Sequence, residues 1–204
     1  MFFNHIHATS PELPPFGPHL CEYVTASNGV FVRARRPGLE AMLPVCLNFN
    51  GGMRGLAPLT PYIRLEAGLI PAQVIGQALE RMAVAAPLEL LTWVNHAGTY
   101  QLAVPSQTQS ESRCKPLDPC DPLGQSALLD FHSHGVNAPF FSIIDNKDES
   151  QGFRLFAVAG GFPAPTILVR LGICGHFWQI PPDWVMEVPD SLAWAVEGVP
   201  PCLK

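Results

Sequence analysis

Apolar and polar positions follow different periods in different stretches of the chain, and each period predicts an element. Glu22-Tyr23-Val24-Thr25 and Val30-Phe31-Val32-Arg33-Ala34-Arg35 flank Ser27-Asn28-Gly29. Asn-Gly between two such β-rich runs predicts a hairpin over 21–36. Leu39–Asn48 is a further strand candidate, broken by Asn50-Gly51-Gly52, and Tyr62–Leu69 is another. From Pro71 to Ala86 the period changes. Val74, Ile75, Ala78, Leu79 and Met82 recur at helical spacing, with Gln73, Gln77, Glu80 and Arg81 largely opposite. Pro71 suits the first helical position and Pro87 stops the run. Leu88–Val94 then reads as a buried strand, turned by Asn95-His96-Ala97-Gly98 into Thr99–Val104. Residues 105–124 are polar and turn-rich and predict a long loop, a candidate substrate-binding segment. Leu128–Gly135, Phe153–Gly160, Thr166–Leu171 and Gly175–Ile180 are the remaining strands.

The two ends are poorer in pattern. Residues 1–20 carry Pro11, Pro14, Pro15 and Pro18 and read as an extended or irregular arm. His5 and His7 have metal-pair spacing, but no third ligand follows at a useful distance, so a polar arm is the expectation. Arg33 and Arg35 share a strand face with Arg36 next to them, either a contact for an acidic partner or a solvated edge. After Pro181-Pro182, Trp184, Val185, Val188, Leu192 and Trp194 are candidates to cover the sheet before Pro200-Pro201-Cys202. His176 reads as a core or edge histidine.

Chemistry concentrates in the strand that ends Asp130-Phe131-His132-Ser133-His134-Gly135. Residues two apart on a strand leave the same face. At about 3.3 Å of rise per residue, the two histidine Cα atoms lie about 6.6 Å apart. Two imidazoles so placed can converge on one ion about 2 Å from each nitrogen. Seven residues separate His134 from Ser142, and two separate Ser142 from Asp145. Ser-x-x-Asp is also a helix start, with Ser142 as N-cap and Asp145 at N3. A strand end thus supplies two nitrogens and a helix start supplies a carboxylate. Three protein ligands with a fourth position left to water is the pattern of a catalytic zinc site rather than a closed structural one. The alternative is a surface histidine pair followed by an ordinary capped helix.

Glu89 stands inside an apolar run. A buried carboxylate without a partner is costly and its pKa rises, so such a residue is paired, exposed at an edge, or functional.

The spacing His-x-His-x7-Ser-x2-Asp resembles that of the JAMM (MPN-plus, JAB) zinc metallopeptidases, over roughly residues 67–189. The resemblance implies a cytidine-deaminase-like α/β fold, a mixed sheet flanked by helices. It implies zinc on His132, His134 and Asp145, Ser142 as the group that polarises the scissile carbonyl or holds the tetrahedral intermediate, and an upstream glutamate as general base. The order helix, Pro87-Leu88-Glu89, strand matches the family and selects Glu89, with Glu66 and Glu80 as alternatives. Small residues usually follow that glutamate in the family, whereas here Leu90, Leu91, Thr92 and Trp93 follow. A β-rich extension over 1–66 and a tail over 190–204 flank the 67–189 domain. With its extra N-terminal segment the chain is most similar to the bacterial PRTRC-system members, whose gene cassettes also encode a ThiF/E1-like protein and a ubiquitin-like protein. That implies a cytoplasmic setting and hydrolysis of a peptide or isopeptide bond at the C-terminus of a ubiquitin-like protein. A non-catalytic MPN-type binding scaffold and a zinc hydrolase of small amides are the alternatives.

Composition narrows the rest. At 204 residues, nearly half of them apolar, the chain can bury a real core. A net charge of −5 without a basic block gives no electrostatic support to nucleic-acid binding. No apolar run reaches membrane-spanning length, and Met1-Phe2-Phe3-Asn4-His5 lacks the basic-then-apolar order of a signal peptide. None of the six cysteines forms Cys-x-x-Cys, and Cys114 with Cys120 is the one pair that sequence proximity suggests.

Overall fold

In a computed structural model of the chain, the described residues are 4–48, 51–189 and 192–194. Met1, Phe2, Phe3, Asn50, Pro200, Pro201, Cys202 and most of the 190–204 tail lie outside them. The N-terminal sheet has β1 (Asn4–His7), β2 (Glu22–Ala26), β3 (Gly29–Arg36), β4 (Leu39–Leu47) and β5 (Tyr62–Leu65), in that spatial order. Helix α1 (Ala72–Ala85) leads into β6 (Leu91–His96) and β7 (Tyr100–Ala103). A small hairpin, β8 (Gln107–Ser110) and β9 (Arg113–Pro116), and helix α2 (Pro122–Ser126) follow. Then come β10 (Leu129–Ser133), α3 (Ile143–Asp148), β11 (Phe153–Gly160), β12 (Thr166–Ile173), β13 (His176–Ile180), a 3₁₀ turn at Pro182–Trp184 and β14 (Ala193–Trp194). The second sheet runs β13-β12-β11-β10-β6-β7, with β14 beside β12. The protein is a mixed α/β structure with three α-helices among the described residues. None of the helices among the described residues is long and apolar enough to cross a membrane.

Alternation along the second sheet separates two faces. Leu129, Phe131, Leu155, Ala157, Val169, Leu171 and Val94 enter the main core. Asp130, His132, Arg154, Phe156, Leu91 and Trp93 point the other way, into a cleft. The main core is shared with α1, through Val74, Ile75, Ala78 and Met82, and with the N-terminal sheet, through Val32, Ala34, Leu39, Ala41 and Leu43. The described part of residues 1–66 is therefore packed on the second sheet rather than semi-independent. The opposite face of the N-terminal sheet, with Val24, Ala26, Phe31 and Met42, builds a smaller core under Ala8 and Leu59.

Several expectations change. The N-terminal arm is not irregular throughout: β1 pairs in parallel with β2. Glu22 anchors it, accepting hydrogen bonds from Asn4 Nδ2 (3.0 Å), Gly17 N (3.3 Å) and Arg33 Nε (2.7 Å). Arg33 is thus not on a solvated row; it is buried against Glu22 and also donates to the Pro14 carbonyl. Burial alone would push the Glu22 carboxyl up, but the bonds from Asn4 and Arg33 and the Arg33 charge hold it below its ordinary range. Arg36 donates to the Phe153 and Gln125 carbonyls, also an internal role. Residues 105–124 are not a structureless loop; they contain β8, β9 and the start of α2. Pro71 sits one position outside α1, at the N-cap. Cys114 and Cys120 are free thiols. His176 accords with an edge role, 2.9 Å from the Tyr23 hydroxyl. Val185 and Leu192 do enter the core, and Trp184 and Val188 pack against it.

Because one core serves both sheets, removing residues 1–66 should leave the remainder unable to fold cooperatively. Within the full chain, Leu43→Ala should lower the stability of a single unfolding transition by about 2–5 kcal/mol. Urea melts followed by circular dichroism test both; a cooperative melt of the isolated 67–204 fragment would overturn the shared-core account.

Candidate metal centre

Strand β10 pairs in parallel with β11 and antiparallel with β6. β10 ends at Ser133, so His134 lies one residue beyond it. Its backbone N–H still donates to the Ala159 carbonyl at 2.8 Å, which keeps the segment extended and both imidazoles on the cleft face. The Nε2 atoms of His132 and His134 are 3.3 Å apart, and His132 Nε2 is 3.7 Å from Asp145 Oδ1. Ligand atoms about 2.05 Å from one tetrahedral ion are spaced about 3.3 Å from each other. The three residues therefore fit a metal ion, and among the described residues they are the one such group, all ligand atoms lying within 4.8 Å. Among the described residues, His5 and His7 join no third ligand.

Both histidines are held in the ligating, neutral form. Burial lowers the His132 pKa to about 4, despite the opposing charge of Asp145. Burial also lowers His134, against Asp145 and a hydrogen bond to the Ala138 backbone. The edge of the Phe140 ring packs on the His134 ring, centroids 4.5 Å apart.

The start of α3 explains how one carboxylate serves two purposes. Ser142 Oγ accepts from Asp145 N (3.1 Å), and Asp145 Oδ2 accepts from Ser142 N (2.6 Å), a complete capping box. Oδ2 is thereby occupied with the backbone, while Oδ1 faces the histidines. The Ser142 oxygen accepts within the cap, so its own proton is free to be donated into the cleft.

Glu89 is not in a strand. It lies in the connection between α1 and β6, two residues before Leu91. Two sets of contacts hold it. Ser133, between the two histidines, accepts from Leu90 N through Oγ (3.0 Å) and donates its own N–H to the Leu90 carbonyl (3.0 Å). On the other side, Glu89 N donates to the Ser110 carbonyl (2.8 Å), Gln109 Nε2 donates to the Glu89 carbonyl (2.8 Å), and the Cys114 backbone bonds the carboxylate. Gln107 pins the same segment by exchanging two side-chain hydrogen bonds with the Leu91 backbone. The hairpin expected to be a loop thus holds the Glu89 segment. Gly135 adds to this: at φ +55°, a Cβ there would lie 2.4 Å from the Pro87 carbonyl oxygen. Only a glycine lets the segment after His134 approach the Pro87–Glu89 backbone so closely.

His132, His134, Ser142, Asp145 and Glu89 line one cleft of about 600 Å³, a size that suits a substrate segment. Glu66 and Glu80 do not line it: Glu66 accepts from Gly38 N, and Glu80 borders a separate shallow groove with Arg81 and Val84. Burial, reinforced by the Asp145 charge, raises the Glu89 pKa to about 7, against the Cys114 backbone bond. Its carboxylate can take up and release a proton near neutrality, which is what a general base needs.

The spacing argument did not single out Ser133, Gly135, Gln107 or Arg170. Arg170 carried a readable signal, a lone charge in the apolar run Thr166–Ile173, the same signal that marked Glu89. The chain matches no known protein-family model and no curated protein.

The Glu89 shift has a consequence for stability. In the folded, metal-free protein Glu89 titrates near pH 7 rather than at its ordinary 4.5, so across that window the folded state binds more protons than the unfolded state. Stability therefore falls as pH rises through the window. His132 contributes with the opposite sign between about pH 4 and 6.5, so the wild-type profile alone does not isolate Glu89. Glu89→Gln does isolate it: its stability relative to wild type should increase by about 1–3 kcal/mol between pH 4.5 and 8. Urea denaturation of both metal-free proteins checks this, and parallel pH profiles would show that Glu89 is not desolvated.

Proposed function

We propose that the chain is a zinc metallopeptidase of the JAMM type, hydrolysing a peptide or isopeptide bond at the C-terminus of a ubiquitin-like protein. The observation that carries this reading is the convergence of two neutral buried histidines, one free carboxylate oxygen and a glutamate of raised pKa in a single cleft. A mixed imidazole and carboxylate set of three, with a position left open, suits zinc in a hydrolytic site.

His132, His134 and Asp145 would hold the ion. Zinc, when bound, supplies Lewis acidity and lowers the pKa of a coordinated water from 15.7 toward about 7. The chain's own groups do the rest. Glu89, which lines the same cleft and whose backbone is held by β10 and the β8–β9 hairpin, accepts a proton on its carboxylate and returns it to the leaving amine. Ser142 donates a hydrogen bond from its hydroxyl to the developing oxyanion, its oxygen already accepting Asp145 N–H. Trp93, Phe156 and Phe140 add apolar surface to the cleft lining. The resemblance adds a cytoplasmic setting and a ThiF/E1-like partner for the ubiquitin-like substrate.

Cleavage of a fusion to a ubiquitin-like protein tests the reading. Glu89→Gln should retain metal and lose turnover by about 10²–10⁴-fold, the usual contribution of general acid–base catalysis. Ser142→Ala should cost about 10²–10³-fold in rate but only about 1 kcal/mol in stability, the value of an N-cap. A wild type that binds zinc and the ubiquitin-like protein without cleaving it would replace the enzyme by a binding scaffold. A wild type that cleaves small amides but not the fusion would move the assignment to an amidase.

A further inference from the structure

Helix α3 carries Asp145 but has little of its own to hold it in place. It is six residues long, and none of them is buried. Ile143 is 85% exposed and Ile144 53%, so no apolar face binds the helix to the sheet. A helix this short is not stable alone. The capping box orders its first turn but makes no bond to the sheet.

Arg170, on β12, supplies that bond. Its side chain is 5% exposed. Nε and Nη2 donate to Glu149 Oε2 at 2.8 and 2.5 Å, and Nη1 donates to Asn146 Oδ1 at 2.5 Å. Glu149 N in turn donates to the Asp145 carbonyl, so Glu149 stands one helical turn after Asp145. Residues four apart share a helix face. The guanidinium therefore grips the face that presents Asp145 to the histidines. Its plane is packed by rings: the guanidinium carbon is 3.9 Å from the Phe141 centroid and 4.1 Å from that of Phe177. Phe141 immediately precedes the N-cap Ser142, so both ends of α3 are tied to one cation. Gly172, two residues along β12, leaves room for this packing, since a Cβ there would meet Phe156 at 2.8 Å and Phe177 at 3.1 Å.

We infer that Arg170 is a positioning residue for the metal centre: it sets the affinity for the ion by fixing α3, and hence Asp145, over the end of β10. This rests on His132, His134 and Asp145 being metal ligands. It assigns Arg170 no contact with the ion or the substrate. Lysine cannot replace it, because a point charge lacks the planar fork that reaches Glu149 and Asn146 together and stacks on Phe141.

Zinc affinity measured by competition with a chromophoric chelator, together with the absorption spectrum of the cobalt(II)-loaded protein, tests this without turnover. Arg170→Lys and Asn146→Ala keep a buried cation or touch only an exposed residue and are chosen to fold; Arg170→Gln removes the grip entirely. Arg170→Gln should lose about 10–100-fold in zinc affinity, the usual cost of removing an outer partner of a ligand. Arg170→Lys should fall between it and wild type, and Asn146→Ala should lose least. The cobalt spectra of the Arg170 variants should shift toward that of Asp145→Ala. Combining Arg170→Gln with Asp145→Ala should weaken binding no further than Asp145→Ala alone, since the arginine acts through that carboxylate. Arg33→Gln, which breaks the other buried arginine–glutamate pair, should lower stability and leave zinc affinity unchanged. Unchanged affinity in folded Arg170→Lys and Asn146→Ala, additive losses in the double variant, or an equal loss in Arg33→Gln would each overturn the inference while leaving the metal site standing. A wild type that binds no zinc would overturn the metal site and this inference together.

Discussion

The parallel pairing of β10 with β11 is the constraint from which the site follows. Antiparallel neighbours can be joined by a tight turn, but parallel neighbours need a crossover. The chain must therefore leave the sheet at His134, travel the length of a strand and re-enter at Phe153. The crossover carries α3, and it begins where the histidine strand stops. That geometry brings a helix N-terminus back to the end of β10, where Ser142 and Asp145 face His132 and His134.

What holds this end of the sheet is mainly polar. The core face is closed by aliphatic packing against α1 and the N-terminal sheet. On the cleft face, α3 is held by Arg170, the Glu89 segment by Ser133, Gln107 and Gln109, and the end of α2 by Arg154, which donates to the Gly124 carbonyl. An open cleft of this kind cannot be closed by apolar side chains, since those would fill it. Directional bonds from buried groups place backbone without occupying the space above it. The same groups carry a risk, because a buried polar atom that loses its partner costs about 1–3 kcal/mol. The site is thus tied to the correct pairing of several residues distant in sequence.

Local signals were legible and distant pairings were not. The hairpin over 21–36, the helix after Pro71, the histidine strand and the Ser142 N-cap each depend on residues within one turn or one pleat of each other. Their spacing therefore appears in the sequence. The β8–β9 hairpin was missed because its strands, Gln107–Ser110 and Arg113–Pro116, are polar and lack the β-branched, apolar alternation that marks a half-buried strand. Leu88–Val94 read as a strand three residues too early because apolar character starts at Leu88, whereas the ladder starts only where β10 can pair, at Leu91 opposite His132. Arg33 looked solvated because its neighbours Arg35 and Arg36 are charged; its partner Glu22 is set by the β2–β3 register, Glu22 opposite Arg33. Arg170 and Ser133 act through residues 21 and 43 positions away, and no spacing rule reaches that far.

Glu89 and Asp145 show how the metal-free cleft is poised. Two histidines are kept neutral by burial, so the ion would meet no cationic competitor at the ligand atoms. Asp145 presents Oδ1 to His132, and its charge is one cause of the raised Glu89 pKa. A divalent cation between these ligands would change the sign of the field at Glu89. The repulsion that favours the protonated acid would be offset, and the carboxylate form would gain, because an opposite charge at short range favours ionisation. Burial, the larger cause, would remain and keep the group basic. If an ion binds there, its occupancy would shift the Glu89 proton equilibrium toward the carboxylate form. The backbone bond from Cys114 favours the charged form of Glu89 against burial, so the polar β8–β9 hairpin both holds the Glu89 segment and moderates its pKa.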